Sequence, residues 1–86
     1  MSAAHSDKSG PEEERAVYWA NEAARKGDPM GEILMGLHLF QGSGIQQNKI
    51  AGYKLIQKAS TVSDEARDLL PKLKAAMSPD EIAAVR

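Results

Sequence analysis

The sequence predicts an all-α fold of antiparallel helices joined by tight turns. Helix-starting residues recur along the chain, and each is followed, about one helix length later, by residues that end a helix. The alternation of apolar and polar residues that is typical of strands occurs nowhere. A chain of 86 residues has room for one small domain. We therefore expect a flexible tail over residues 1–10 and a single helical domain over residues 11–86.

The first helix is expected to begin at Pro11, because a first turn does not need the backbone N–H that proline lacks. Three glutamates occupy positions 12–14, where carboxylates oppose the positive end of the helix dipole. Arg25 and Lys26 suit the C-terminal end. Gly27 is expected to end this helix in the left-handed conformation.

The second helix is expected to start at Asp28-Pro29, a capping residue followed by a proline at the first helical position. It runs to about Gln41, where Gly42-Ser43-Gly44 interrupts the pattern. A phosphate-binding loop would follow a strand and carry a Lys-Ser/Thr pair, and here a helix precedes the glycines and no such pair follows. They therefore indicate a corner, in which Gly42 caps the helix and Gly44 lets the chain reverse.

Three more helices are expected in the second half of the chain. Asn48 is the expected N-cap of the third helix and Ser63 that of the fourth, which Pro71 should kink or split. Ser78, with Glu81 three residues later, forms a capping box that opens a short terminal helix.

A 36-residue offset relates the first helix to the third. The pairs that share it are Glu12 and Asn48, Ala16 and Gly52, Trp19 and Leu55, and Ala23 and Ala59. Periods of roughly 20 to 50 residues are typical of solenoids built from helical hairpins.

These residues resemble the Sel-one-like repeat, a relative of the tetratricopeptide repeat. The matching positions are Gly27-Asp28, Gly31, Met35-Gly36, Leu39, Gly42-Ser43-Gly44-Ile45 and Asn48, then Ala16, Trp19, Ala23 and Ala24 in the first helix, and Leu55, Ala59 and Ser60 in the third. Departures from the family pattern are Gly31 for Ala, Met35 for Leu, Leu39 for an aromatic residue, Asn48 for Asp and Gly52 for Ala. The spacing of the glycines is that of the family, and the resemblance covers about residues 12–60.

The resemblance implies a short α-solenoid of about one and a half Sel-one-like repeats, closed by C-terminal capping helices. Gly36 inside a helix is tolerable where a neighbouring helix packs directly on its backbone, and Ala23, Ala24 and Ala59 would serve the same close approach. Such repeats are typically non-enzymatic adaptors in signalling, secretion or assembly complexes, often in bacteria.

The second helix is the candidate binding element, because little of its circumference is polar. A helix of this kind is either sandwiched between others or presents a spare face to a partner. Gly31, Met35 and Leu39 follow the packing positions of the family. The candidate partner-binding residues are the remaining ones: Met30, Leu34, Leu37, His38 and Gln41. Coverage of these side chains by the first and fourth helices is the alternative.

Chemistry-bearing residues are few and scattered, so we expect neither an enzyme nor a metal or cofactor site. Of the two histidines, His5 lies in the expected tail, and His38 has no acidic residue or histidine three or four positions away. A zinc site needs three or four converging ligands. The glutamates at positions 12–14 are typical of a solvated helix start, and Ser43 has no base near it in sequence.

Charge and cysteine content argue against several other classes. The chain has 11 basic and 12 acidic residues, a net charge of -1 and no cysteine, so we expect no disulfide and no nucleic-acid partner. Lys54 and Lys58 share a helix face with a single aromatic nearby, whereas nucleic-acid platforms interleave several. No apolar run could span a membrane, and the first residues lack a signal-peptide core. We expect no membrane insertion and a cytoplasmic location.

Three functions follow from this interpretation. The first is an adaptor that binds a peptide or helix of another protein on the face of the second helix. The second is a self-associating structural protein, because an apolar second helix could be buried in a homodimer. The third is an inhibitor or immunity-type partner of another protein, which would bind in the same way.

Overall fold

The computed structural model describes residues 11–86, and the expected tail over residues 1–10 lies outside the described part. The helices of this part are α1 (Pro11–Arg25), α2 (Pro29–Gln41), α3 (Lys49–Ala59), α4 (Asp64–Ala75) and α5 (Pro79–Ala84). Residues 11–86 contain no strand. The all-α prediction is therefore confirmed.

Side-chain caps start four of the helices at the predicted residues. The capping oxygens of Asp28, Asn48 and Ser63 accept hydrogen bonds from the backbone N–H groups of Met30, Ala51 and Ala66 at 3.0, 3.0 and 3.3 Å. At α5 the capping box is complete: the N–H of Glu81 donates to Ser78 Oγ at 3.2 Å, and the N–H of Ser78 donates to Glu81 Oε1 at 2.9 Å. Each cap satisfies an N–H that has no partner within its helix.

Glycines end the first two helices in the predicted left-handed conformation, with φ of 84° at Gly27 and 72° at Gly42. After Gly42 the chain turns back along α2, so that the N–H of Asn48 donates to the carbonyl of Leu39 at 2.7 Å. Gln47 Nε2 donates to the carbonyl of Phe40 at 3.0 Å. The corner therefore satisfies carbonyls that the end of α2 would otherwise leave unpaired.

Pro71 does not split the fourth helix, contrary to one of the two predicted outcomes. α4 runs from Asp64 to Ala75 with Pro71 inside it. Pro71 cannot donate to the carbonyl of Arg67, one turn earlier. Both residues lie on the exposed side of α4, so water can satisfy that carbonyl and the helix continues.

The helices pack in four main pairs: α1 on α2, α2 on α3, and α3 on both α4 and α5. The first two contacts are antiparallel. Gly31, near the start of α2, lies against Ala23 near the end of α1, and Gly36 lies against Gly52 and Ile56 of α3. The described residues extend 42 × 31 × 17 Å, and the shortest dimension accommodates about two layers of helices.

The hydrophobic core lies among α2, α3, α4 and α5. Its buried members are Ile33, Phe40, Tyr53, Ile56, Ala59, Ala66, Leu73, Met77 and Val85. None of them comes from α1, which joins the fold through small residues such as Ala20 and Ala23. The core therefore holds α2 firmly on one side, and α1 covers a second side of α2.

Candidate interaction surface

An apolar strip of α2 remains exposed between the two neighbouring helices. Met30 and Leu34 are 50% and 44% exposed, and Gln41 is exposed at the end of the same helix. With Leu37 these residues are spaced by four, three and four positions, which places them on one face of a helix. We call Met30, Leu34, Leu37 and Gln41 the α2 strip.

The α2 strip is not uniform along its length. Leu37 is partly buried and packs against the hydrophobic core, whereas Met30 and Leu34 at its N-terminal end are exposed. Coverage by α1 and α4, the alternative that the sequence left open, therefore does not reach Met30 and Leu34. The accessible apolar area is concentrated in the first two turns of α2.

His38, the fifth predicted binding residue, holds the corner after α2. Its Nδ1 donates to the carbonyl of Ser43 at 2.9 Å, because a carbonyl only accepts and Nδ1 must then carry the hydrogen. Its own carbonyl accepts from the N–H groups of Gly42 and Ser43 at 2.8 and 3.0 Å. These hydrogen bonds stabilise the corner after α2. His38 is partly buried, so only part of its ring could contact a partner.

A buried carboxylate, which the sequence did not predict, joins α2 to α3. The side chain of Glu32 is only 5% exposed, and its Oε2 lies 3.3 Å from the Nζ of Lys58, whose side chain is 71% exposed. Glu32 also lies in the first turn of α2, where a negative charge is favourable. The only indication of this carboxylate in the sequence is that Glu32 is the one acidic residue in a mostly apolar helix.

Several small residues lie where the helices and the corner approach one another closely. A Cβ on Gly31 would lie 2.5 Å from the Cβ of Ala23 and 2.6 Å from the backbone N of Ala24, so both alanines pack against this glycine. Ala59 is fully buried, and Gly44, with φ of 76°, lies against the backbone of Glu13.

Trp19 is a large apolar residue that is 64% exposed. Its ring contacts the neighbouring Tyr18, which is 57% exposed, edge to face with 5.3 Å between centroids. Leu55, 36 positions later, is partly buried. The sequence analysis assigned Trp19 to the repeat pattern but did not predict that the face of α1 that carries it is exposed to solvent.

A cavity of about 380 Å³ opens where the start of α3 meets the start of α5. The residues that line it are Gln47, Asn48, Lys49, Ile50 and Glu81. Their polar groups already serve the fold: Gln47, Asn48 and Glu81 cap helix ends, and Lys49 Nζ donates to the carbonyl of Ala76 at 2.9 Å. No base–nucleophile pair is present in this cavity.

Over residues 11–86, no group of three or more acidic or histidine side chains is arranged to hold a metal ion. In the same range, no helix combines the length and the apolar character needed to cross a bilayer. No protein-family model, curated protein or solved structure shows a significant match to this chain. Among residues 11–86, the large exposed apolar side chains are Tyr18 and Trp19 of α1, Met30 and Leu34 of α2, and Val62 in the turn after α3.

Proposed function

We propose that this protein is a non-enzymatic interaction module of the Sel-one-like type, which binds a peptide or helix of another protein on the α2 strip. The observation that carries this proposal is the exposure of Met30 and Leu34 on a helix that is packed on two other sides. Exposed large apolar side chains that share one helix face are typical of a docking surface.

The fold supports binding by holding the α2 strip in place before a partner arrives. Ile33 and Phe40 anchor α2 in the core, and Gly31 and Gly36 fix it against α1 and α3. A preformed surface lowers the entropy lost on association. Met30 adds a flexible side chain that adapts to the shape of an apolar partner.

The dimensions of the α2 strip suit a short helix or an extended peptide. From Met30 to Gln41 it spans about 17 Å, the rise of three helical turns. Its apolar end is Met30 and Leu34, and its polar end is Gln41. We expect a partner segment with two or three apolar side chains at helical spacing, followed by a group that bonds with the Gln41 amide.

The test compares capture of proteins from a lysate of the source cells by the wild type, Leu34→Glu and Val62→Glu. Leu34→Glu places a carboxylate at the centre of the apolar area and should reduce capture of the partner at least about tenfold. Val62, which is 72% exposed in the turn after α3, provides the matched control, and Val62→Glu should capture the partner normally.

Far-UV circular dichroism and urea unfolding establish that each variant is folded before capture is compared. Leu34 is the better choice than Leu37, because Leu37 packs against the core and Leu37→Glu would disturb folding together with binding. Equal capture by wild type and folded Leu34→Glu would rule out the α2 strip as the binding surface.

A further inference from the structure

A second surface lies on α1, on residues that follow one helix face. Glu12, Ala16, Trp19, Ala23 and Lys26 are spaced by four, three, four and three positions. All but Ala23, which is partly buried, are exposed. Lys26 continues the helical turn just beyond α1, because its N–H donates to the carbonyl of Ala23 at 3.1 Å. We call these five residues the α1 stripe.

The equivalent stripe of α3 is covered by a helix. The 36-residue offset maps Ala16, Trp19 and Ala23 onto Gly52, Leu55 and Ala59. A Cβ on Gly52 would lie 2.5 Å from the carbonyl oxygen of Gly36, so the backbone of α2 lies directly on α3 there. Ala59 is fully buried and Leu55 is partly buried.

Among the described helices, α1 packs closely only on α2. α2 reaches the α1 stripe only at Ala23, whose Cβ lies against Gly31, and no described helix covers Ala16 or Trp19, which are exposed. The small side chain of Ala16 beside Trp19 would allow another helix to approach closely, as Gly52 does on α3.

The α1 stripe is complementary to itself when two copies run antiparallel. In one direction it reads Glu-Ala-Trp-Ala-Lys, and in the other Lys-Ala-Trp-Ala-Glu. A two-fold axis at Trp19 would place the two indoles in contact and Glu12 opposite Lys26 at both ends, since both lie seven residues from Trp19. Ala16 would lie within about one residue's rise, 1.5 Å, of the position opposite Ala23. An isologous interface needs this property, since the same patch must serve both subunits.

We propose that the occupant of the α1 stripe is a second copy of this chain, and that two α1 helices pair antiparallel across a two-fold axis. Each copy covers α1 of the other, as α2 covers α3 within one chain. Opposite charges meet at both ends of the helix pair, and like charges would meet in the parallel arrangement. The α2 strip is not part of this contact, so the dimer would present two copies of it.

The dimer is a weak one. A single pair of 15-residue helices buries less surface than the roughly 1,200–2,000 Å² of a stable interface. We expect a reversible monomer–dimer equilibrium at chain concentrations between about 10 µM and 1 mM. Sedimentation velocity of the full chain over this range measures it.

The test exchanges the two charges separately and then mixes the variants. Glu12→Lys alone places two lysines opposite each other at both ends of the dimer, and Lys26→Glu alone places two glutamates there. Each should weaken self-association about tenfold. An equimolar mixture pairs the new Lys at position 12 with the new Glu at position 26 and restores dimerisation to about the wild-type level. The separate measurements are the control for the mixture, because the mixture contains the same two variant proteins. Restored association therefore cannot come from a difference in how either variant folds.

Trp19 supplies the second readout. Trp19→Glu should leave the chain monomeric over the whole range, because two carboxylates would meet at the two-fold axis, while Val62→Glu should dimerise as the wild type does. Trp19 is the only tryptophan, so its fluorescence should also shift to shorter wavelength as dimer forms. A monomeric wild type, failure of the mixture to associate, or a dimer abolished by Leu34→Glu and not by Trp19→Glu would overturn the proposal.

Discussion

Gly36 and Gly52 let the backbones of α2 and α3 lie in contact. A Cβ on Gly36 would lie 2.6 Å from Ile56 Cγ1 and 2.7 Å from the carbonyl oxygen of Gly52, and Gly52 has the reciprocal contact with Gly36. Glycine inside a helix costs up to about 1 kcal/mol relative to alanine. The close approach of the two helices outweighs this cost, because it lets Ile56 become fully buried.

We expect Gly36→Ala to destabilise the protein although alanine is the better helix former. The added methyl must displace Ile56 or push α3 away, which lowers the free energy of unfolding by about 1–3 kcal/mol. Urea unfolding followed by circular dichroism measures it. Gly27→Asn is the comparison, because asparagine tolerates the left-handed conformation and nothing lies within 4 Å of a Cβ there. A Gly36→Ala protein as stable as the wild type would contradict the packing described.

At the scale of one element, α4 shows how an unfavourable residue is accommodated. Pro71 is the eighth residue of a twelve-residue helix, well inside the region where proline removes a hydrogen bond. Ser63 caps this helix, and Ala66 and Leu73 bury one face of it. Burial of that face against α3 maintains the helix across Pro71, because tertiary packing contributes more than local propensity.

We therefore expect Pro71→Ala to stabilise the protein by about 1–3 kcal/mol. Alanine restores the N–H donor to the carbonyl of Arg67 and removes the steric cost of the ring, and the greater entropy of the unfolded chain offsets part of the gain. The measurement is the urea midpoint at constant m value. Lys72→Ala, the next exposed position of α4, should change stability by less than about 0.5 kcal/mol. If Pro71→Ala lowers the midpoint, the account of α4 is wrong.

Across the whole molecule, stability is unevenly distributed. The buried cluster joins α2, α3 and α4 with Met77 and Val85, which flank α5, and Ile82 of α5 packs against it. No residue of α1 belongs to the cluster or packs against it as a partly buried member. α1 is held by small residues that bury little apolar area, and free energy from burial scales with that area. The helix that carries the proposed self-association surface is thus the one least fixed by the core.

We expect α1 to be the first helix to open. At a chain concentration low enough for the protein to be monomeric, amide hydrogens of α1 should exchange at least about tenfold faster than those of α3. Hydrogen exchange followed by mass spectrometry of peptides from the two helices measures this ratio. Protection of α1 should rise with chain concentration as dimer forms, while that of α3 stays constant. Equal protection of both helices at low concentration would show that α1 belongs to the same cooperative unit.

The ends of the helices could be predicted from the sequence because capping is local. Asp28, Asn48, Ser63 and Ser78 each bond to a group two or three residues away, and Gly27 needs only its own backbone freedom. The hairpin order followed from these ends and from the short connections between them. At Pro71 the sequence allowed a kink or a split. α4 is not split, because burial of one face of the helix against α3 maintains it across Pro71.

Which faces are covered was decided by the tertiary structure alone. Met30 and Leu37 belong to the same strip of α2, yet the first is exposed and the second packs against the core. Trp19 and Leu55 lie 36 positions apart, yet Trp19 is exposed and Leu55 partly buried. α1 packs closely only on α2, whereas α3 packs on α2, α4 and α5. Local sequence sets where a helix begins and ends, but burial depends on residues distant in the chain.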